Sequence, residues 1–120
     1  MHSEPRVYVS QVIPAPVEDV WARARAFDSI DEWHPVIENA TMEDGAGSTE
    51  IGGIRNFDAG GRTVREELVA FSENDHSYVY TMAGDGGNKE GYLAELSFAP
   101  ITEAPKSARM YCANGWRTVE

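Results

Sequence analysis

Alternation of hydrophobic and polar residues along most of the chain predicts β-strands. Residues 6–13 are rich in β-branched and aromatic side chains and end at a Pro-Ala-Pro segment, which predicts a first strand. After residue 36, alternating segments are separated by turn residues, as in a meander of antiparallel hairpins. These segments predict strands at 36–43, 50–57, 62–71, 77–82, 92–99 and 106–113. A glycine-rich stretch, 84–91, is predicted to be a mobile hairpin connection.

Between the first strand and the meander, the pattern changes to that of helices. Apolar residues recur at steps of three and four from Val17 to Phe27, which predicts one amphipathic helix starting at Pro16. Residues 29–32 have the spacing of a capping box, and Pro35 ends the turn that follows, so a second short helix is predicted. The predicted fold class is α+β, with a curved antiparallel sheet of about six to seven strands and two short helices after strand 1.

Several short motifs resemble a known family. Residues 13–21, followed by Phe27-Asp28 and Trp33-His34-Pro35, resemble the opening of the START-like, or SRPBCC, superfamily. Residues 61–68, 78–80 and 91–94 are similar to the middle strands of its polyketide cyclase/dehydrase and lipid-transport branch. The resemblance covers about residues 8–98. It implies a helix-grip fold, in which a seven-stranded antiparallel sheet wraps around a long C-terminal helix and encloses an apolar cavity.

The end of the chain departs from the family pattern. One strand's worth of residues follows Pro105, so we expect residues 1–120 to form a single START-like domain whose long C-terminal helix is absent or truncated. Three explanations stay open: truncation, a short form closed by dimerisation, or a helix replaced by the last dozen residues. The chain is then expected to expose more apolar sheet surface than monomers usually do.

Charge and composition narrow the classes of partner. The 20 acidic and 10 basic side chains give a formal net charge of −10, which repels nucleic-acid phosphates and anionic lipid headgroups. No stretch approaches the roughly 18 apolar residues of a membrane span. The single cysteine, Cys112, excludes an internal disulfide and is predicted to be a buried apolar side chain. We therefore expect a cytoplasmic protein with no nucleic-acid partner and no membrane insertion.

Two residues are candidates for proton transfer. Glu66 alternates with apolar residues of its strand, so its carboxyl is predicted to face the apolar side and to act on, or hydrogen-bond, a ligand. Alternatively, Val69 and Phe71 mark the inner face, and Glu66 is solvated or paired with an arginine on a neighbouring strand. His34 follows the second short helix and could donate to a ligand carbonyl, or else cap the helix or pack against proline. Without histidine and carboxylate residues at ligand spacing, no metal or other cofactor is expected.

Aromatic and other apolar side chains on the predicted strands suggest a ligand-binding wall, although residues of this kind also simply fill cores. The predicted lining residues are Trp33, Phe57, Tyr78, Tyr80, Met82, Tyr92, Leu96 and Phe98. The function expected first is binding or transport of a small hydrophobic molecule of lipid, polyketide or aromatic type. One alternative is a polyketide cyclase or dehydratase that uses Glu66 or His34. Another is an interaction module that forms a homodimer.

Overall fold

The structure, a computed structural model, describes residues 2–4, 7–83, 93–104, 106–114 and 117–119. Its strands are β1 (His2–Glu4), β2 (Val7–Ile13), β3 (Ile37–Met42), β4 (Ile54–Ala59), β5 (Arg62–Ser72), β6 (Ser77–Met82), β7 (Ala94–Pro100), β8 (Ala108–Asn114) and β9 (Arg117–Val119). Its helices are α1 (Val17–Ala24) and α2 (Ile30–Trp33), and 3-10 turns lie at Phe27–Ser29 and Glu43–Gly45.

The described strands form one large curved sheet and one small sheet. The large sheet has seven strands in the order β2-β8-β7-β6-β5-β4-β3, and every neighbouring pair is antiparallel. β1 pairs with β9 in a separate two-stranded sheet, which the sequence did not predict. The predicted α+β helix-grip architecture is confirmed. Among the described residues no long helix follows the meander, and no helix is long and apolar enough to span a membrane.

A tight turn fixes the register between β4 and β5. Gly60 and Gly61 both have positive φ, 57° and 81°, as a two-residue hairpin turn requires. Ala59 therefore lies opposite Arg62, and the antiparallel pairing continues along both strands as far as Ile54 and Glu67. The predicted turn, 58–61, is two residues too long, because residues 58 and 59 still belong to β4.

The first predicted helix and one predicted strand are shorter in the structure than the sequence pattern indicates. α1 ends at Ala24 instead of Phe27, whose backbone N–H leaves the helix and donates to Ser48 O at 2.8 Å. The predicted capping box is wrong: Ser29 precedes α2, but its hydroxyl donates to the carbonyls of residues 23 and 26 and makes no cap hydrogen bond to α2. The strand predicted at 50–57 begins only at Ile54, since Gly52 turns the chain with φ 90°.

A bulge in β5 changes which residues face inward. The pairing with β6 shifts between Leu68 and Ala70, so Val69 is an extra residue in its strand. Before the bulge, Glu66 and Leu68 are buried; after it, Phe71 packs against the core while Val69 is exposed. Glu66 and Leu68 therefore face inward as first predicted, whereas of the two residues in the alternative only Phe71 faces inward and Val69 does not.

The helices cover the inner face of the large sheet. Buried residues of α1 and the following turn pack against buried residues of β5 to β8, and a second cluster joins Ile30, Ile37 and Phe57. Trp33 packs against both clusters. The end of α1 is tied to the turn after β5, where Glu73 accepts a hydrogen bond from Trp21 Nε1 at 2.6 Å and pairs with Arg25. These contacts set the helices at a fixed place above the sheet.

The bulge predicts that two neighbouring substitutions lower the free energy of unfolding by very different amounts. Leu68→Ala should lower the free energy of unfolding by about 2–5 kcal/mol, because the side chain is 0% exposed and its removal leaves a cavity. The matched control, Val69→Ala, removes a side chain that is 40% exposed and should cost about 1 kcal/mol or less. Urea denaturation followed by circular dichroism measures both. Equal losses would contradict the inward and outward assignment.

Candidate functional site

A cavity of about 400 Å³, which we call the charged cavity, lies between the inner face of the sheet and α2. The structure places seven of the predicted site residues in its wall: Trp33, His34, Phe57, Glu66, Tyr78, Tyr80 and Leu96. Sequence reasoning missed Val9, Ile30, Ile37, Arg55 and Met110, and it predicted Cys112 only as a core side chain.

A second cavity of about 390 Å³, which we call the apolar cavity, lies beside α1. Phe98, predicted for the same wall as the tyrosines, lines this cavity instead, and Trp33 lines both. Its other walls include Ile13, Ala15, Val20, Ala24 and Met110, together with Gln11, Asp19 and Arg23, which are exposed. Met82 is half-buried on β6 and lines neither of these two cavities, while Tyr92 lies outside the described residues.

An ion pair forms part of the wall of the charged cavity. Arg55 and Glu66 face each other across β4 and β5, and their side chains are only 1% and 11% exposed. Arg55 Nε and Nη2 donate to Glu66 Oε1 at 2.9 and 2.6 Å. Both bonds end on Oε1, so neither occupies Oε2.

Further contacts satisfy the buried guanidinium. Arg55 Nη1 donates to the backbone carbonyl of Phe27 at 2.8 Å and to the Tyr78 hydroxyl at 3.4 Å. The guanidinium carbon lies 3.9 Å from the centre of the Phe27 ring and 4.8 Å from that of Tyr80, which are cation–π distances. Burying a charge costs several kcal/mol unless it is paired and hydrogen-bonded, so these contacts are what allow an arginine at this depth.

Burial also controls the protonation of the tyrosines. Desolvation raises the pKa of Tyr78 and of Tyr80 above the ordinary value, although the nearby Arg55 charge acts in the opposite direction. Both phenols therefore keep their protons at neutral pH. Since the Tyr78 hydroxyl accepts from Arg55, its own proton is available for donation to another group.

His34 lies at the end of α2 and lines the charged cavity. Its Nδ1 accepts the backbone N–H of Val36 at 3.4 Å, so in the neutral ring the proton is carried by Nε2. The helix end is closed by the His34 backbone N–H, which donates to Ile30 O, and not by the imidazole. In the described part of the chain, no cluster of three or more His, Cys, Asp or Glu residues could hold a metal ion.

Removing either partner of the buried Arg55–Glu66 pair should be strongly destabilising, and the two losses should not add. Arg55→Met and Glu66→Leu should each lower the free energy of unfolding by about 3–5 kcal/mol, because each leaves an uncompensated buried charge. The double variant should lose less than the sum of the two. Urea denaturation of the four proteins gives the coupling from a double-mutant cycle.

The matched control is the Glu43–Arg65 pair, in which Arg65 Nε donates to Glu43 Oε2 at 2.7 Å and both side chains are partly exposed. Water screens this pair, so Arg65→Met and Glu43→Leu should show much weaker coupling. Additive losses at Arg55 and Glu66, or coupling no stronger than in the control, would contradict the buried pair as described.

Cys112 offers a test of the environment inside the charged cavity. Burial, together with the Glu66 charge, raises the pKa of its thiol above the ordinary value. The rate of alkylation by iodoacetamide, which follows the thiolate, should therefore rise with an inflection at higher pH than for glutathione measured alongside. An inflection at or below that of glutathione would show a thiol in a solvent-like or electropositive site.

Comparison with known proteins agrees with the resemblance. Residues 4–117 match the family described as polyketide cyclase / dehydrase and lipid transport. No curated protein matches the chain. Among solved structures, a protein from Nitrosospira multiformis is 26% identical, with a TM-score of 0.76 over 95% of this chain and 79% of the other. A protein from Thermobifida fusca is 26% identical, with a TM-score of 0.79 over 94% of this chain and 74% of the other.

More distant structures share the fold alone. Norcoclaurine synthase from Thalictrum flavum, solved in complex with dopamine and hydroxybenzaldehyde, is 13% identical, with a TM-score of 0.68 over 96% of this chain and 69% of the other. Family and fold together indicate a ligand-binding domain of the polyketide-cyclase type. The chain therefore belongs to the polyketide cyclase/dehydrase and lipid-transport family of the START-like superfamily.

Proposed function

We propose that the protein binds a small, largely apolar molecule with a hydroxyl or carbonyl group in the charged cavity and holds it without a covalent bond. The observation that carries this proposal is a buried, neutralised ion pair in a wall that is otherwise aromatic and aliphatic. Flat molecules of aromatic or polyketide type suit such a wall best. Lipids with a cyclic head group suit it as well.

The size and shape of the cavity support this ligand class. A volume of about 400 Å³ lies within the range of roughly 300–1,000 Å³ that is usual for small-molecule sites. The rings of Phe57, Tyr78 and Tyr80 and the side chain of Leu96 offer a large apolar area to a flat ligand. Burial of that area is the main source of the expected affinity.

The polar groups of the cavity favour ligands with hydroxyl and carbonyl groups. Glu66 Oε2 receives neither Arg55 bond and is an acceptor for a ligand hydroxyl. The phenols keep their protons, so they are donors for a ligand carbonyl. A hydrogen bond from a ligand hydroxyl to the charged Glu66 carboxylate contributes about 1.5–3 kcal/mol. The hydroxybenzaldehyde held by norcoclaurine synthase, which shares the fold, belongs to the same chemical class.

The same contacts favour binding over proton transfer. Glu66 is engaged with Arg55, and His34 Nδ1 is engaged with the backbone of Val36. Conversion of a bound polyketide-like ligand by the wild type, lost in Glu66→Gln, would favour the cyclase or dehydratase alternative. Homodimerisation stays a prediction, which light scattering at several concentrations checks.

Two tryptophan substitutions on β2 test the location of the site. Val9 lines the charged cavity and Val12 does not, yet both side chains are about half exposed, so neither substitution disturbs the core. A library of phenols, hydroxybenzaldehydes and acetophenones is screened by ligand-observed NMR, and hits are measured by titration calorimetry. Hits should bind the wild type and Val12→Trp alike, and Val9→Trp at least about tenfold more weakly, because its indole occupies the cavity.

Either of two results would overturn the proposal. One is a library without any ligand that binds the wild type. The other is equal binding by Val9→Trp and Val12→Trp, which would place the ligand elsewhere. Protection of Cys112 from alkylation by a bound hit gives an independent readout, because this thiol lines the charged cavity and is the chain's single cysteine.

A further inference from the structure

We propose that the charged cavity and the apolar cavity are two halves of one site for an elongated ligand, and that Trp33 is the movable partition between them. The ligand class is a cyclic head with a hydroxyl group, a carbonyl oxygen next to it, and an alkyl chain beyond the carbonyl. This inference rests on the proposed function, which concerns the charged cavity alone.

The two cavities share a wall. Trp33 and Met110 line both of them, and Trp33 also packs against both hydrophobic clusters. Methionine has a flexible, polarisable side chain that adapts to different neighbours. Trp33 is the last residue of α2, and His34 after it is extended, so its ring can reorient without breaking a longer helix. Trp33 and Met110 are thus the two residues that the cavities have in common.

The cavities follow one another along the strands. On β2, Val9 lines the charged cavity and Gln11 lines the apolar cavity; on β7, Leu96 and Phe98 divide in the same way. Two residues of a strand advance about 7 Å, which is the scale of a phenyl ring or a short alkyl segment. A ligand lying parallel to these strands would therefore pass from one cavity into the other.

The chemistry of the two halves differs in the way an amphiphilic ligand requires. The charged cavity holds the Arg55–Glu66 pair and the tyrosines. The walls of the apolar cavity are mostly aliphatic or aromatic, and its polar residues Gln11, Asp19 and Arg23 are exposed side chains at the rim. A hydroxylated ring fits the first environment, and a hydrocarbon chain fits the second.

The partition itself has an unsatisfied donor. Trp33 Nε1 is buried and has no hydrogen-bond partner within the described ranges of the chain. A buried donor left without a partner is unfavourable, and structures rarely keep one without a reason. A carbonyl oxygen placed between the two halves of a ligand would accept this N–H once the indole turns. The unpaired donor therefore favours a ligand with an acceptor at its middle.

A series of 1-(4-hydroxyphenyl)alkan-1-ones with acyl chains of two to eight carbons tests the inference. Their dissociation constants are measured by titration calorimetry on the full chain. A methylene that enters an apolar cavity contributes about 0.8 kcal/mol, so affinity should rise about fourfold per added carbon until the apolar cavity is filled. The slope of log Kd against chain length is the quantity compared between variants.

Gln11→Trp and Arg23→Trp each place an indole in the apolar cavity from an exposed position, one from β2 and one from α1. Either variant should flatten the slope, and the second keeps the test usable if the first does not fold. The matched controls are Val12→Trp on β2 and Ala22→Trp on α1, which line neither cavity and should keep the wild-type slope.

Trp33→Phe tests the partition's donor. It keeps a ring in place but removes the N–H, so the preference for a ketone over the corresponding alkylphenol should fall about two- to tenfold. A preference unchanged by this substitution would overturn the assigned role of the donor.

The outcomes separate the inference from the proposed function. If no member of the series binds the wild type, the proposed function fails for this ligand class and the inference fails with it. If members bind with no dependence on chain length, or if the slope survives in both blocking variants, the charged cavity still binds the ring. The continuous site is then overturned.

Discussion

The buried Arg55–Glu66 pair is the constraint on which the rest of the structure depends. A guanidinium that is 1% exposed must have its N–H groups satisfied by protein atoms. Its partners come from β5, from the turn after α1 and from β6, through Glu66, the carbonyl of Phe27 and the Tyr78 hydroxyl. One side chain thus fixes the distance between sheet and helices. A looser arrangement would leave a charge buried without partners, which is why the cavity beside the pair has a defined wall.

Two local backbone features place these partners. The positive φ angles at Gly60 and Gly61 close a two-residue turn, and this register sets Arg55 directly opposite Glu66. The bulge at Val69 then lets Phe71 face inward again, where it packs beside Trp21 at a ring distance of 5.6 Å. Without the bulge, strict alternation from Leu68 would turn Phe71 towards solvent. The turn thus positions the ion pair that lines the charged cavity, and the bulge positions Phe71 against α1.

Sequence periodicity predicted β5 and β7 well because each has one buried face, so burial imposes the alternation of apolar and polar residues. It placed the end of α1 at Phe27 because helix periodicity carries no information about the bond from Phe27 to Ser48, which is distant in sequence. Arg55 was missed for a similar reason, since an arginine in a strand is expected to be exposed. The signal was present: reading Gly60-Gly61 as a two-residue turn pairs Arg55 with Glu66, whereas a four-residue turn does not. The orphan Trp33 donor has no sequence signal at all, because it depends on packing.

Charge distinguishes the interior of the site from the surface around it. The chain carries a net charge of −10, whereas the Arg55–Glu66 pair is neutral as a unit. An anionic ligand would meet repulsion on approach and, inside, a guanidinium already neutralised by Glu66. A cationic ligand would find the Glu66 carboxylate already paired with Arg55. A neutral molecule with a hydroxyl group meets neither cost, because it can donate to Glu66 Oε2 while the two Arg55 bonds to Oε1 stay intact. The pair therefore acts as a polar anchor for neutral ligands and not as a charge-recognition site.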